Sequence, residues 1–221
     1  MNNAQEKTGA RTIDFYFDFI SPFSYLAHQR LPQLAARYGY SLGYYVADLA
    51  ALKRLAGNTA PRMVDIPLKL HYSRIDQQRW AERYGVPITP PSGSHDSSWV
   101  NRGTFYAAEK KQTAEYVTAV WTHMRRDGRD LAEESTWLDV ARDLGWNADE
   151  FVAAIRSADS LARYQQASQA AHDRGVFGVP TMLIGNDMWW GNDRLDFVEE
   201  YLKARAQPSA PARTSAPGDF E

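Results

Sequence analysis

From residue 12 to 19 the chain reads TIDFYFDF. Ile13, Phe15, Phe17 and Phe19 fall on one side and Asp14, Tyr16 and Asp18 on the other. That period of two predicts a β-strand. The period then changes: Phe23, Leu26, Ala27, Leu31, Leu34, Ala35 and Tyr38 recur at helical spacing until Gly39, which predicts a helix over 22–38. YSLGYYV, residues 40–46, is rich in aromatic and β-branched residues and predicts a second strand.

Between about residues 50 and 174 the strand pattern is absent. Helical spacing predicts segments at 66–84, 102–127, 134–144, 148–157 and 160–174, with Asn147 and Glu150 forming a capping pair. VPITPPSGSHDSS, residues 86–98, interrupts the block as a loop. Strand character returns in VPTMLI, 179–184, and after the Gly185-Asn186-Asp187 turn in Met188-Trp189-Trp190, which predicts a hairpin. A last helix is expected over 193–206, with Leu195, Val198 and Leu202 on one side.

The order is β-α-β, a long helical block, then β-β-α. A parallel crossover needs only about a dozen residues, so so long a block implies an inserted unit. The expected class is α/β, with residues 11–50 and 175–206 forming two halves of one sheet and 51–174 an all-α insertion. The polar first ten residues and the proline- and alanine-rich tail, 207–221, are expected to be disordered.

Composition narrows the chemistry. Twenty-five basic against 27 acidic side chains give a net charge of −2, which provides no field for nucleic acid or an anionic membrane. The start carries no apolar signal region and no run is long enough to span a bilayer, so a cytoplasmic protein is expected. The absence of cysteine removes disulfides, thiolate metal sites and redox cycling on the chain's own sulfur. The five histidines show no metal spacing, and no metal is expected.

Three places can carry chemistry. Ser21-Pro22 stands where the first strand meets the first helix: serine is a preferred N-cap and proline a preferred first helical residue. The same geometry aims a hydroxyl and free amides at an anion, so capping and anion binding are compatible. Val179-Pro180 either starts a strand in the ordinary way or forms a cis bond that opens the Val179 backbone to an extended ligand. In Trp190-Gly191-Asn192-Asp193, Asn192 or Asp193 either caps the last helix or takes the charged end of a ligand. Lys53 is either a solvated helix residue or a cation overlooking Ser21.

FDFISPFSYLA near the N-terminus, GVFGVPT before residue 182 and WWGNDRLDFVEEYL near the end resemble the 2-hydroxychromene-2-carboxylate isomerases. These are relatives of the kappa-class glutathione transferases in the DsbA-like thioredoxin superfamily. The resemblance spans residues 12–205 and implies a thioredoxin-like domain with a large all-α insertion. It implies glutathione as cofactor, a small aromatic substrate, a homodimer, and a serine in place of the redox cysteine. Ser21 then becomes the catalytic residue. Ser21, Val179, Trp190, Gly191, Asn192 and Asp193 become the glutathione contacts, and Lys53, Asn58 and Asn101 the substrate side. The implied reaction interconverts 2-hydroxychromene-2-carboxylate and trans-o-hydroxybenzylidenepyruvate in naphthalene-type catabolism. HYSRIDQQRW and PPSGSHDSSWVN depart from the family's pattern and are expected to face the substrate cleft.

Two other functions compete: a kappa-like glutathione transferase or related isomerase acting on a different electrophile, and a non-catalytic thioredoxin-fold module that captures peptides along Val179. A disulfide oxidoreductase is excluded by the missing cysteine.

Overall fold

The computed structural model describes residues 11–206 except 91, 94 and 95. The expected disordered tails, 1–10 and 207–221, lie outside the described residues. Strand β1 (Thr12–Phe17) enters helix α1 (Pro22–Arg37), and β2 (Ser41–Val46) returns parallel to β1. Helices α2 (Leu49–Leu55), α3 (Pro67–Tyr84), α4 (Ser98–Glu109), α5 (Thr113–Trp121), α6 (Glu134–Asp143), α7 (Ala148–Arg156) and α8 (Ala158–Asp173) follow. The chain closes with β3 (Thr181–Ile184), β4 (Asp187–Trp190) and α9 (Leu195–Ala206). The sheet order is β2-β1-β3-β4, with β3 antiparallel to both neighbours. Strands from both ends of the chain therefore share one sheet, in the α/β class expected.

Alternation in β1 drives the layering, because successive side chains of a strand point to opposite faces. Ile13, Phe15 and Phe17 are fully buried with Leu26, Leu31 and Leu34 of α1 and Leu195, Val198 and Leu202 of α9. The opposite face buries Tyr16 and Leu183 with Leu52, Ala171 and Val176. The sheet is thus covered on both sides. At the heart of the larger core, the Trp121 ring meets Phe15, Phe17, Phe19, Tyr25 and His28 at centroid distances of 4.9–6.5 Å. This cluster joins the helical block to the sheet without a break.

One predicted helix is corrected. Residues 102–127 are not continuous: α4 stops at Glu109, α5 begins at Thr113, and residues 122–126 form a π-helical turn. The break falls at Lys111, whose φ is +58°. The Gln112 N–H reaches back to Ala107 at 2.9 Å, and its side chain accepts from Trp146 at 2.7 Å. Apolar spacing runs on across the break, and no glycine or proline marks it.

Candidate active site at one end of the sheet

Register brings the three sequence motifs together. Tyr16 pairs with Thr181, and Thr181 pairs with Trp190, so the residues after Phe17, before Thr181 and after Trp190 emerge at the same end of the sheet. Phe17 also pairs with Val46, which sends α2 and Lys53 out from that end. Ser21, Val179 and the Gly191–Asp193 loop share one edge of the fold, although they are far apart in the sequence.

Ser21 is the N-cap of α1: its Oγ accepts from the Ser24 N–H at 3.1 Å and its backbone is extended. A hydroxyl that accepts a capping bond keeps its own proton to donate. Both readings of Ser21-Pro22 are therefore available at once. The helix carries no acidic residue in its first turn, so the positive end of its dipole is not offset there.

The Val179-Pro180 peptide is cis. Among the described residues no hydrogen bond engages the Val179 N–H or C=O, while the Pro180 carbonyl accepts from Gly191 at 2.9 Å. That bond ties the two loops together. Gly191 adopts φ +115°, where a side chain would be strained. Trp190 is about half-exposed and packs edge-on to Phe177 at 5.0 Å. Its indole also presses on Gly178, where a Cβ would lie 2.9 Å from Nε1. Asn192 is buried: Oδ1 accepts from Tyr84 at 3.2 Å, and Nδ2 has no partner among the described residues. Asp193 is exposed, near Arg194 at 3.5 Å. The short 3₁₀ turn at 192–194 has no side-chain cap, which leaves Asn192 Nδ2 and the Asp193 carboxylate for other work.

The substrate-side residues are less alike. Lys53 is half-buried on α2, and its side chain has no hydrogen-bond or ion-pair partner among the described residues. Asn58 is exposed and its side chain accepts from Ala60. Asn101 is completely buried. Its Oδ1 accepts from Phe19 N–H at 3.2 Å, and its Nδ2 donates to Asp18, Ser97 and Tyr164 at 2.7–3.1 Å. The structure therefore places Asn101 inside a buried network around Asp18. Asp18 also accepts from Ile20 N–H, Leu49 N–H and the Ser97 hydroxyl, and burial raises its pKa. The Ser97 hydroxyl, at the start of α4, bonds to Asp18 instead of capping its own helix.

A groove of about 400 Å³ opens beside Phe23, two residues beyond Ser21. Met63, Leu68 and Tyr72 give it apolar walls, while Lys69, Ser73 and Asp76 are its polar lining. Tyr72, Ser73 and Asp76 belong to the HYSRIDQQRW stretch. The companion stretch around PPSGSHDSS is only partly within the described residues.

Sequence reasoning missed Arg125. It lies on the π-helical turn, only 3% exposed, and donates to the Ile20 carbonyl at 2.7 Å. Nothing local distinguishes it, because arginines near a helix end are ordinary partners of the helix dipole.

A mixed sheet from both chain ends, a helix that starts at the Ser21 turn and a cis proline at the same end of the sheet define a DsbA-like thioredoxin-fold protein. The family model for the DSBA-like thioredoxin domain matches residues 12–203. A 2-hydroxychromene-2-carboxylate isomerase of Pseudomonas sp. (strain C18) is 45% identical over 85% of this chain and 88% of its own length. A solved 2-hydroxychromene-2-carboxylate isomerase superposes with a TM-score of 0.84 at 42% identity, covering 88% of this chain and 95% of the other. Glutathione S-transferase kappa 1 of Rattus norvegicus is 24% identical over 93% of this chain and 97% of its own. The chain belongs to the 2-hydroxychromene-2-carboxylate isomerase family, within the DsbA-like thioredoxin fold.

Proposed function

We propose that the protein is a glutathione-dependent isomerase that interconverts 2-hydroxychromene-2-carboxylate and trans-o-hydroxybenzylidenepyruvate. The 45% identity to an isomerase of that name along nearly the whole chain supports the reaction. The observation that carries the mechanism is a site built for a thiol in a chain that has none: a serine caps the redox-position helix and no cysteine exists.

The residues present fit glutathione. The unpaired Val179 backbone suits an extended γ-glutamyl-cysteinyl segment, since main-chain pairing needs both N–H and C=O free. The orphan Asn192 Nδ2 is a buried donor in want of an acceptor, and Asp193 offers a carboxylate to an ammonium group. The relationship to a kappa-class glutathione transferase supports the same cofactor.

Changing geometry about a carbon–carbon double bond requires that bond to become single for a moment, and bound glutathione supplies the thiolate whose reversible addition allows this. With glutathione bound, the Ser21 hydroxyl would donate to its anionic sulfur and the Phe23 N–H would face the same charge, since Pro22 has no N–H and the Ser24 N–H is spent on Ser21 Oγ. Lys53 or Lys69 pairs with the substrate carboxylate, and Phe23, Met63, Leu68 and Tyr72 receive the ring. Asn101 serves this site from behind by holding Asp18, to which both the turn before Ser21 and the start of α2 are bonded. On the same reading the enzyme is a cytoplasmic homodimer.

Ultraviolet absorbance with 2-hydroxychromene-2-carboxylate tests the proposal. Turnover that depends on glutathione is expected, with the thiol recovered unchanged. Release of a stable adduct would make the protein a transferase, and no turnover with either thiol or substrate varied would remove the substrate assignment.

A further inference from the structure

We propose that Arg125 is a positioning residue for the Ser21 site: its guanidinium fixes the Ile20 carbonyl and sets a positive charge against the turn that presents Ser21. The inference rests on the glutathione reading above.

Three observations carry it. First, Ile20 is clamped on both sides by buried charges: its N–H donates to Asp18 at 3.1 Å and its C=O accepts from Arg125 at 2.7 Å. Ser21 is the next residue, so its orientation depends on that clamp. Second, Arg125 is almost wholly buried, yet among the described residues its Nε has no hydrogen-bond partner and no carboxylate is in ion-pair range. A buried charge without a partner is costly, so a site that keeps one gains from its field. Third, the residue sits on a π-helical turn, where the Asp127 N–H reaches back five residues to Thr122. Such turns are uncommon and gather at functional sites.

Among the described residues the surrounding groups leave the charge uncompensated. From α1 only Tyr25 faces it, and that hydroxyl donates to the Pro87 carbonyl. The 86–90 segment packed there has no titratable side chain. On its own turn and beyond, His123 pairs with Asp143 and Arg126 with Asp127. Asp18, which holds the other side of Ile20, spends its lone pairs on four donors. Burial lowers the Arg125 pKa to about 10, which leaves it charged at neutral pH.

The test measures glutathione bound to the full chain by calorimetry and follows its thiolate by ultraviolet absorbance as pH is raised. In Arg125→Gln and Arg125→Met the ionisation midpoint of the bound thiol is expected to rise by about one unit, a tenfold smaller thiolate fraction at a given pH. Arg125→Lys, which keeps the charge but not the planar fork, should hold the midpoint near wild type while turnover falls several-fold at unchanged KM. A folded neutral variant with an unmoved midpoint overturns the inference. If neither neutral variant folds, Arg125→Lys decides, and wild-type turnover there overturns it. A wild-type protein with no thiolate signal sinks the glutathione reading and this inference with it, whereas a wild-type signal that survives unmoved in the variants sinks this inference alone.

Discussion

Around Asp18, every donor and acceptor in view is spent inside the chain: Ile20, Leu49, Ser97 and Asn101 all donate to one carboxylate, and Asn101 is also bound to Phe19 and Tyr164. Around the facing loops the opposite holds. The Val179 backbone, Asn192 Nδ2 and Arg125 Nε are polar groups with no partner among the described residues. Both regions lie at one end of one sheet. A satisfied network holds a turn in place, while unsatisfied groups have free energy to gain from a ligand. Substitutions in the first region should therefore cost stability, and those in the second should cost binding.

Ser21 sits between the two, and its loss should be largest. Ser21→Ala is expected to lower turnover by roughly a hundredfold or more, in line with removal of a donor to a developing anion. The lost cap should cost only about 1 kcal/mol of stability. Urea unfolding beside steady-state rates separates the two, and a variant with wild-type turnover would leave Ser21 as a cap alone.

Asn101→Ala removes the centre of the satisfied network and strands the Phe19 N–H and part of the Asp18 carboxylate. A loss of about 3 kcal/mol in chemical unfolding is expected, from buried groups at about 1–3 kcal/mol each. Glutathione affinity of the folded fraction should stay near wild type. A stable variant with weakened substrate binding would reverse that assignment and return Asn101 to the substrate.

A buried histidine gives a pH signature from the core rather than the site. His28 lies between Tyr44 and Thr118, and burial lowers its pKa to about 4 from 6.5. The unfolded chain therefore takes up a proton before the folded one does. Stability from this group is fully present above pH 6.5 and is lost as pH falls towards 4, by up to about 3 kcal/mol. Asp18 acts in the opposite sense. Its raised pKa means its contribution is present below 3.8 and is lost as pH rises through the folded value. Thermal unfolding of His28→Leu against wild type from pH 7 to 4 isolates the histidine, and parallel curves would show that the folded protein takes up the His28 proton as readily as the unfolded chain.

The smallest effect belongs to the rim. Asp193 is about half-exposed, and Asp193→Ala should weaken glutathione binding by about tenfold without changing stability, because an exposed charge-assisted contact is worth roughly 1–2 kcal/mol. Calorimetry reads this directly, and an unaltered dissociation constant would take Asp193 out of the site.

Much of this was legible in the chain. Alternation in TIDFYFDF, helical spacing after Ser21 and the GVP and GND turns placed the strands, the first and last helices and the three motifs, because period and turn chemistry act over a few residues. The broken helix at Lys111 was not legible, since a left-handed lysine next to a Gln112 whose side chain is bonded to Trp146 follows from packing and carries no local mark. Of the candidate residues, Ser21 and the Val179 and Gly191–Asp193 loops could be picked out by local chemistry. The burial of Asn101 and the unpartnered charge of Arg125 could not.

Local patterning was enough for the strands, the first and last helices, the capped turn at Ser21 and the absence of any thiol. Which distant groups share the sheet end, which of them are saturated and which stay open was settled by packing of the whole chain. Strand register and burial arise from contacts across more than a hundred residues, and a buried polar group's partners are set by whatever the fold brings within about 3 Å of it.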